Sequence, residues 1–171
     1  TVFILIYNTE KEVRTVVEVQ NEDLDIEKIA ASGQCFRLCR QADGSWLLAA
    51  HGRALRIYAR PGGAAFDCSE AEFDALWKTY FDLETDYARF RAAVPARDRY
   101  LSAAAAYSRG VRILRQDPWE MLVTFLISQR KSIPAIRTAR YHPTTPFGRP
   151  LTGHGAGEFA FPAPAALAAA S

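Results

Sequence analysis

The stretch "DPWEMLVTFLISQRKSIPAI", residues 117 to 136, constrains the fold more than any other part of the chain. Asp117 is suited to cap a helix, Pro118 fits the first helical position, where no amide hydrogen is needed, and Glu120 falls at the third. From Trp119 to Ile127 the residues are apolar nearly all round, which predicts a central, buried helix in an all-helical layer. The apolar run stops at Gln129, Arg130 and Lys131. Ser132 can cap a second helix and Pro134 is tolerated in its first turn, so only those three residues remain for a tight turn. Two cations are therefore expected at the tip of a stiff stem, a shape suited to entering a groove.

Upstream, the pattern has the period of strands. "TVFILIY" (1 to 7) reads as a buried strand, far short of the ~20 apolar residues that span a bilayer. "RTVVEV" (14 to 19) is a second β-prone run, and "NEDLDIEKIAAS" predicts a short helical turn packed through Leu24, Ile26 and Ile29. Asp43-Gly44, Gly52 and Pro61-Gly62-Gly63 then separate β-prone runs, giving an antiparallel meander over residues 34 to 66. At Ser69 the period changes. "SEAE" is a capping box, and Phe73, Leu76, Trp77 and Tyr80 recur at helical spacing as a core stripe. Residues 85 to 94 and 98 to 110 read as two further helices, the second closed by Gly110 in a left-handed cap. The order predicts an α+β protein, divided into an α+β domain over residues 1 to 110 and a helical part over residues 111 to 171. That last part reads as incomplete, because its Ala-rich end has nothing to pack on.

Charge separates along the chain. Residues 1 to 108 carry 13 basic against 16 acidic side chains, and residues 109 to 149 carry 8 against 2. The local surplus points to an anionic partner. Cys35, Cys39 and Cys68 form no paired motif and His51, His142 and His154 are far apart, so neither a disulfide framework nor a metal site is expected, and no cofactor is implied. A monomer in a reducing, bacterial-type cytoplasm, bound to no membrane, is the corresponding expectation.

Two stretches together resemble the 8-oxoguanine DNA glycosylase family of base-excision repair enzymes. "SGQCFRL" (32 to 38) is similar to its SGQxFRW signature, and "VRILRQDPWEMLVTFLISQRKSIPAI" (111 to 136) to the helix and turn that open its helical domain. "DGSWLLAAHGRALRI" and "FPAPAALA" (161 to 168) also fit the family order. The resemblance implies an antiparallel β-sheet domain shaped like half of a TATA-binding protein, packed against the start of an all-helical glycosylase domain. It implies that double-stranded DNA containing oxidised guanine is the partner, and that the damaged base is flipped from the stack for excision. N-glycosylase and abasic-site lyase activity would follow, the lyase step through a lysine that forms a Schiff base.

By position, Gly33 corresponds to the glycine whose carbonyl accepts the N7 hydrogen present on 8-oxoguanine and absent from guanine, with Gln34 supporting that pocket. Arg130 falls where many relatives carry the Asn that fills the gap left by the flipped base, and Lys131 and Gln129 flank it on the DNA-facing turn. Phe36 and Phe125 read as core. The family's glycine-rich hairpin with its nucleophilic Lys, and the Asp downstream, find no match, so no catalytic residue is assigned in this chain. "LTGHGAGEF" (151 to 159) has the glycines without the Lys and reads as a loop. The chain therefore reads as truncated and inactive by itself. The alternative is a non-catalytic module that binds damaged or undamaged duplex through the two helices around residues 118 to 140.

Overall fold

The structure, a computed structural model, describes residues 1–9, 12–129, 147–152, 154 and 157–169. Six strands form one sheet: β1 (Val2–Thr9), β2 (Glu12–Gln20), β3 (Leu38–Arg40), β4 (Trp46–Ala50), β5 (Arg53–Arg60) and β6 (Gly63–Asp67). Their order is β1-β2-β6-β5-β4-β3. The sequential run from β3 to β6 is the expected meander, and the amino-terminal hairpin adds to its far edge. β1 pairs antiparallel with β2, from Val2 opposite Val19 to Thr9 opposite Glu12, and β2 pairs antiparallel with β6.

The turns follow from local chemistry. His51 and Gly52 between β4 and β5 both have positive φ, 50° and 72°, as a tight two-residue hairpin requires. Between β3 and β4, Gly44 has φ 82°, while the Asp43 carboxylate accepts from the Ser45 N–H at 3.0 Å and from its hydroxyl at 2.6 Å. The Ser45 hydroxyl and the Arg56 guanidinium hold the Asp43 carboxyl below its ordinary pKa.

Helix α1 (Ile26–Ala31) is capped by the Asp25 side chain, which accepts from the Lys28 N–H. A continuous helical stretch follows the sheet: α2 (Glu70–Glu72), a π-helical turn (Phe73–Trp77) and α3 (Lys78–Tyr80). Ser69 caps it by accepting from the Glu72 N–H at 3.2 Å, as the sequence predicts. Glu72 Oε1 accepts from the Trp77 indole at 3.1 Å, a five-residue reach that matches the wider π turn. Phe73, Trp77 and Tyr80 are buried and Leu76 half-buried, so the stripe is core. Phe66 packs tilted against Phe73 and edge-on against Phe81, with centroids 5.3 Å apart in each pair, and Tyr80 packs edge-on against Trp77 and Phe81. Then come α4 (Tyr87–Ala92), α5 (Arg99–Tyr107), α6 (Pro118–Ser128) and α7 (Pro164–Ala168). Gly110, with φ 94°, lies two residues past the Ser108 cap of α5. Its carbonyl accepts from the Asp25 N–H, and a Cβ there would fall 2.5 Å from the Asp25 Cβ.

The chain forms two compact units. One comprises Thr1–Cys35, Arg40–Trp46 and Arg56–Arg115, the other Phe36–Cys39, Leu47–Leu55 and Gln116–Ser171. Among the described residues no helix is long and apolar enough to cross a membrane.

Two expectations are corrected. β1 is not buried: Val2, Phe3, Ile4 and Leu5 are all exposed, because the strand sits at the edge of the sheet, beside β2 alone. α6 is not a buried helix either, since Met121, Leu122, Phe125 and Leu126 are exposed, Phe125 at 58% and Leu126 at 62%. Periodicity marks a helix as apolar, but burial needs a neighbour to cover it. Phe125 is accordingly not core, and Phe36 is half-buried. The stretch 151 to 159, read as a loop, carries no α-helix or strand among its described residues, only an isolated antiparallel bridge from Pro150 to Phe159, with Leu151 N–H donating to the Glu158 carbonyl and Ala160 N–H to that of Arg149. Leu151 and Ala160 pack there against Ala49.

Candidate functional site

The loop that follows α1 is built from a helix end. Ser32 caps α1, its N–H donating to the Lys28 and Ile29 carbonyls and its hydroxyl donating to Ile29 O at 2.7 Å. Gly33 next takes φ 79°, the left-handed conformation that ends many helices and that a side chain disfavours. It is exposed, a Cβ built on it would meet nothing within 4 Å, and no donor among the described residues reaches its carbonyl. An exposed residue thus carries a backbone acceptor that no described donor reaches.

Gln34 follows, half-buried, and turns its carboxamide onto the segment Val111–Arg115. Oε1 accepts from the Leu114 N–H at 2.9 Å, while Nε2 donates to the Arg112 carbonyl at 2.8 Å and to Ser32 Oγ at 3.1 Å. Cys35 is buried, its thiol 3.7 Å from the Tyr80 hydroxyl.

Segment 111–115 is held from other directions too. Ile113 N–H donates to the Tyr87 hydroxyl at 2.9 Å, and Arg115 N–H to the Tyr80 carbonyl at 2.8 Å. Arg112, 1% exposed, donates to the carbonyls of Phe81 (3.0 Å), Asp23 (3.1 Å), Thr85 (2.7 Å) and Asp82, and its guanidinium carbon lies 4.3 Å from the centre of the Tyr87 ring. Sequence analysis gave this residue no role of its own and counted it only in the basic surplus of residues 109 to 149. Its position between Val111 and Ile113 in an apolar run was the available signal. Arg109 pairs with Glu22 and Arg115 with Asp82, so part of the local basic surplus is engaged within this unit. Burial pushes the Asp82 carboxyl pKa up, but the Tyr87 and Thr85 hydroxyls and Arg115 outweigh it and leave the pKa below its ordinary value.

The stem of the predicted turn belongs to the other unit. Asp117 caps α6 by accepting from the Glu120 N–H at 3.0 Å, with Pro118 in the first turn, as expected. Arg37 lies 3.6 Å from the Glu120 carboxylate and donates to the Phe159 carbonyl, while the Trp119 indole donates to Pro162 O at 2.9 Å. These bonds fix the base of α6. Gln129 is its exposed C-cap. Arg130, Lys131 and the second helix expected after Ser132 lie outside the described residues.

Chemistry of other kinds finds little support. The Cys68 thiol is raised to about 12 by burial, with Glu72 and Asp67 adding to the effect, so it is protonated at neutral pH and no nucleophile. An open apolar groove of about 470 Å³ runs beside α4 and α5, lined by Phe90, Leu101, Val111 and Ile113. Its cation, Arg91, is forked onto the Asp23 carboxylate at 2.7 and 2.8 Å.

Comparison with known proteins decides the lineage. The family model of the 8-oxoguanine DNA glycosylase N-terminal domain matches residues 16–122. The chain belongs to the 8-oxoguanine DNA glycosylase family. Among solved glycosylase structures, that of MBOgg1 in complex with a low-affinity DNA ligand is 32% identical with a TM-score of 0.83, over 96% of this chain and 56% of that one. The 8-oxoguanine glycosylase/lyase of Clostridium acetobutylicum in its apo form is 30% identical with a TM-score of 0.83, over the same shares. Its complex with double-stranded DNA containing cytosine opposite 8-oxoguanine gives 30% and 0.79, over 93% of this chain and 54% of that one. The chain thus spans a little over half the length of these glycosylases. The matched stretch takes in Gly33, Gln34 and Arg112 and ends before Gln129.

Proposed function

We propose that this chain supplies lesion recognition in base-excision repair, binding duplex DNA and selecting 8-oxoguanine for removal by an N-glycosylase with abasic-site lyase activity. The observation that carries the reading is Gly33, an exposed residue, open on its Cβ side, whose carbonyl no donor among the described residues reaches. 8-Oxoguanine differs from guanine by carrying a hydrogen on N7. A fixed carbonyl accepts that hydrogen from the lesion and faces a lone pair on the normal base, so one bond discriminates twice. The Clostridium acetobutylicum relative, described as a glycosylase/lyase and solved also in complex with DNA containing the lesion, supports the same assignment.

On this reading Gln129, Arg130 and Lys131 contact DNA from the turn after α6, Arg130 in the gap left by the extruded base. No lysine of this sequence matches the nucleophile of the family motif. Fluorescence anisotropy with two duplexes that differ only in 8-oxoguanine or guanine opposite cytosine tests the reading: tighter binding to the lesion duplex is expected, and equal binding overturns it. Borohydride reduction should trap no covalent adduct between residues 1–171 and lesion DNA. An adduct would show that a lysine of this chain is a nucleophile after all, with Lys131 the first to test.

A further inference from the structure

The Gln34 carboxamide takes the place that a peptide group would take beside an extended strand. It donates to the Arg112 carbonyl at 2.8 Å and accepts from the Leu114 N–H at 2.9 Å. This is the pattern by which one residue of a parallel strand engages the carbonyl before its neighbour and the N–H after it. The segment it grips is held on other sides by Tyr87, by the Tyr80 carbonyl and by the buried Arg112 side chain. Gln34 therefore straps the loop after α1 to a fixed part of its unit.

Gly33 needs such a strap. Glycine reaches both signs of φ with little penalty, so its peptide plane is defined only by what holds its two neighbours. Ser32 is fixed by the end of α1 and Gln34 by its side chain. With both engaged, the carbonyl between them keeps one direction.

We propose that Gln34 is a positioning residue, which sets the direction of the Gly33 carbonyl and thereby governs lesion specificity and not affinity for DNA. Both ends of its carboxamide are bonded to its own chain, so its effect on the base passes through Gly33. The proposal rests on the reading of Gly33 given above.

The experiment uses the intact protein and the same pair of duplexes, with Gln34→Met and Gln34→Glu, from pH 5 to pH 8. Q34M keeps the shape and loses all three carboxamide bonds, to Leu114, Arg112 and Ser32, so the preference for 8-oxoguanine should fall about tenfold, while affinity for the undamaged duplex stays within about twofold. In Q34E the ionised carboxylate accepts from Leu114 but faces the Arg112 carbonyl with a lone pair. Once protonated, it can donate there. Preference in Q34E should therefore be lost at pH 8 and recover toward pH 5, relative to wild type at each pH. A residue that merely supports folding would not give that recovery. Wild-type preference in both variants overturns the proposal, and so does an equal loss on the two duplexes. A wild-type protein without preference sinks the reading of Gly33 itself, a failure visible before any variant is made.

Discussion

Arg112 ties together four carbonyls of its unit, and its burial dictates the consequence of losing it. A guanidinium taken from water must be repaid by hydrogen bonds, and the carbonyls of Asp23, Phe81, Asp82 and Thr85 provide them. R112M removes the donor and leaves those carbonyls without it. A loss of roughly 1–3 kcal/mol or more is expected in denaturant unfolding, with R112K intermediate because an ammonium cannot form the same fork or stack on Tyr87. Asp82 gives the same corner a pH dependence. Its folded pKa lies below the ordinary value, so the unfolded chain binds the proton more readily. The stability it contributes is complete above the unfolded carboxyl value of about 3.9 and is lost as pH falls through the lower folded value. D82N should therefore be less stable than wild type at pH 7, with the gap in thermal midpoint narrowing as the pH drops below about 4.

At the level of elements, two glycines separate turn geometry from strand packing. Gly44 has φ 82° with nothing within 4 Å of a built Cβ, so G44A adds only the strain of a left-handed residue, about 1–2 kcal/mol. At Gly63, the first residue of β6, a Cβ would lie 2.0 Å from the Val19 carbonyl oxygen, and β2 and β6 must part to admit it. G63A should cost about 1–3 kcal/mol or more, and faster amide exchange in β2 should accompany it only in this variant. Features of this local kind were legible in the sequence. Asp117-Pro118 with Glu120, Ser69, Asp43-Gly44 and the Phe73 to Tyr80 stripe need only a few neighbouring residues to declare themselves. The exposure of β1 and α6 was not legible, because a run of apolar residues fixes what an element can bury and not whether anything covers it. Arg112 was missed for the same reason: its carbonyl partners are 27 to 89 residues distant, and Gln34 meets its own 78 and 80 residues away. At the candidate site the Gly33 turn could be read locally, whereas the strap that holds it could not.

For the molecule as a whole, the proposed function divides attraction from discrimination between different residues, and salt can tell them apart. Neutralising a DNA phosphate releases a counterion, so each such contact adds about 0.9 to the slope of log affinity against log salt. Lys131, beside the gap assigned to Arg130, carries charge and should act through this slope. Gly33 carries none. K131A should lower the slope by about 0.9 on lesion and undamaged duplexes alike, leaving their ratio nearly unchanged. G33A should do the reverse. Its Cβ meets no neighbour, so the loop accommodates the methyl at the expense of its φ, the carbonyl is redirected, and preference for 8-oxoguanine falls while the slope stays as in wild type. Titrations at several salt concentrations, with both duplexes and both variants, measure slope and ratio in one experiment. If either variant moved both quantities together, affinity and specificity would share the same contacts, and the assignment of base inspection to an uncharged backbone carbonyl would fall.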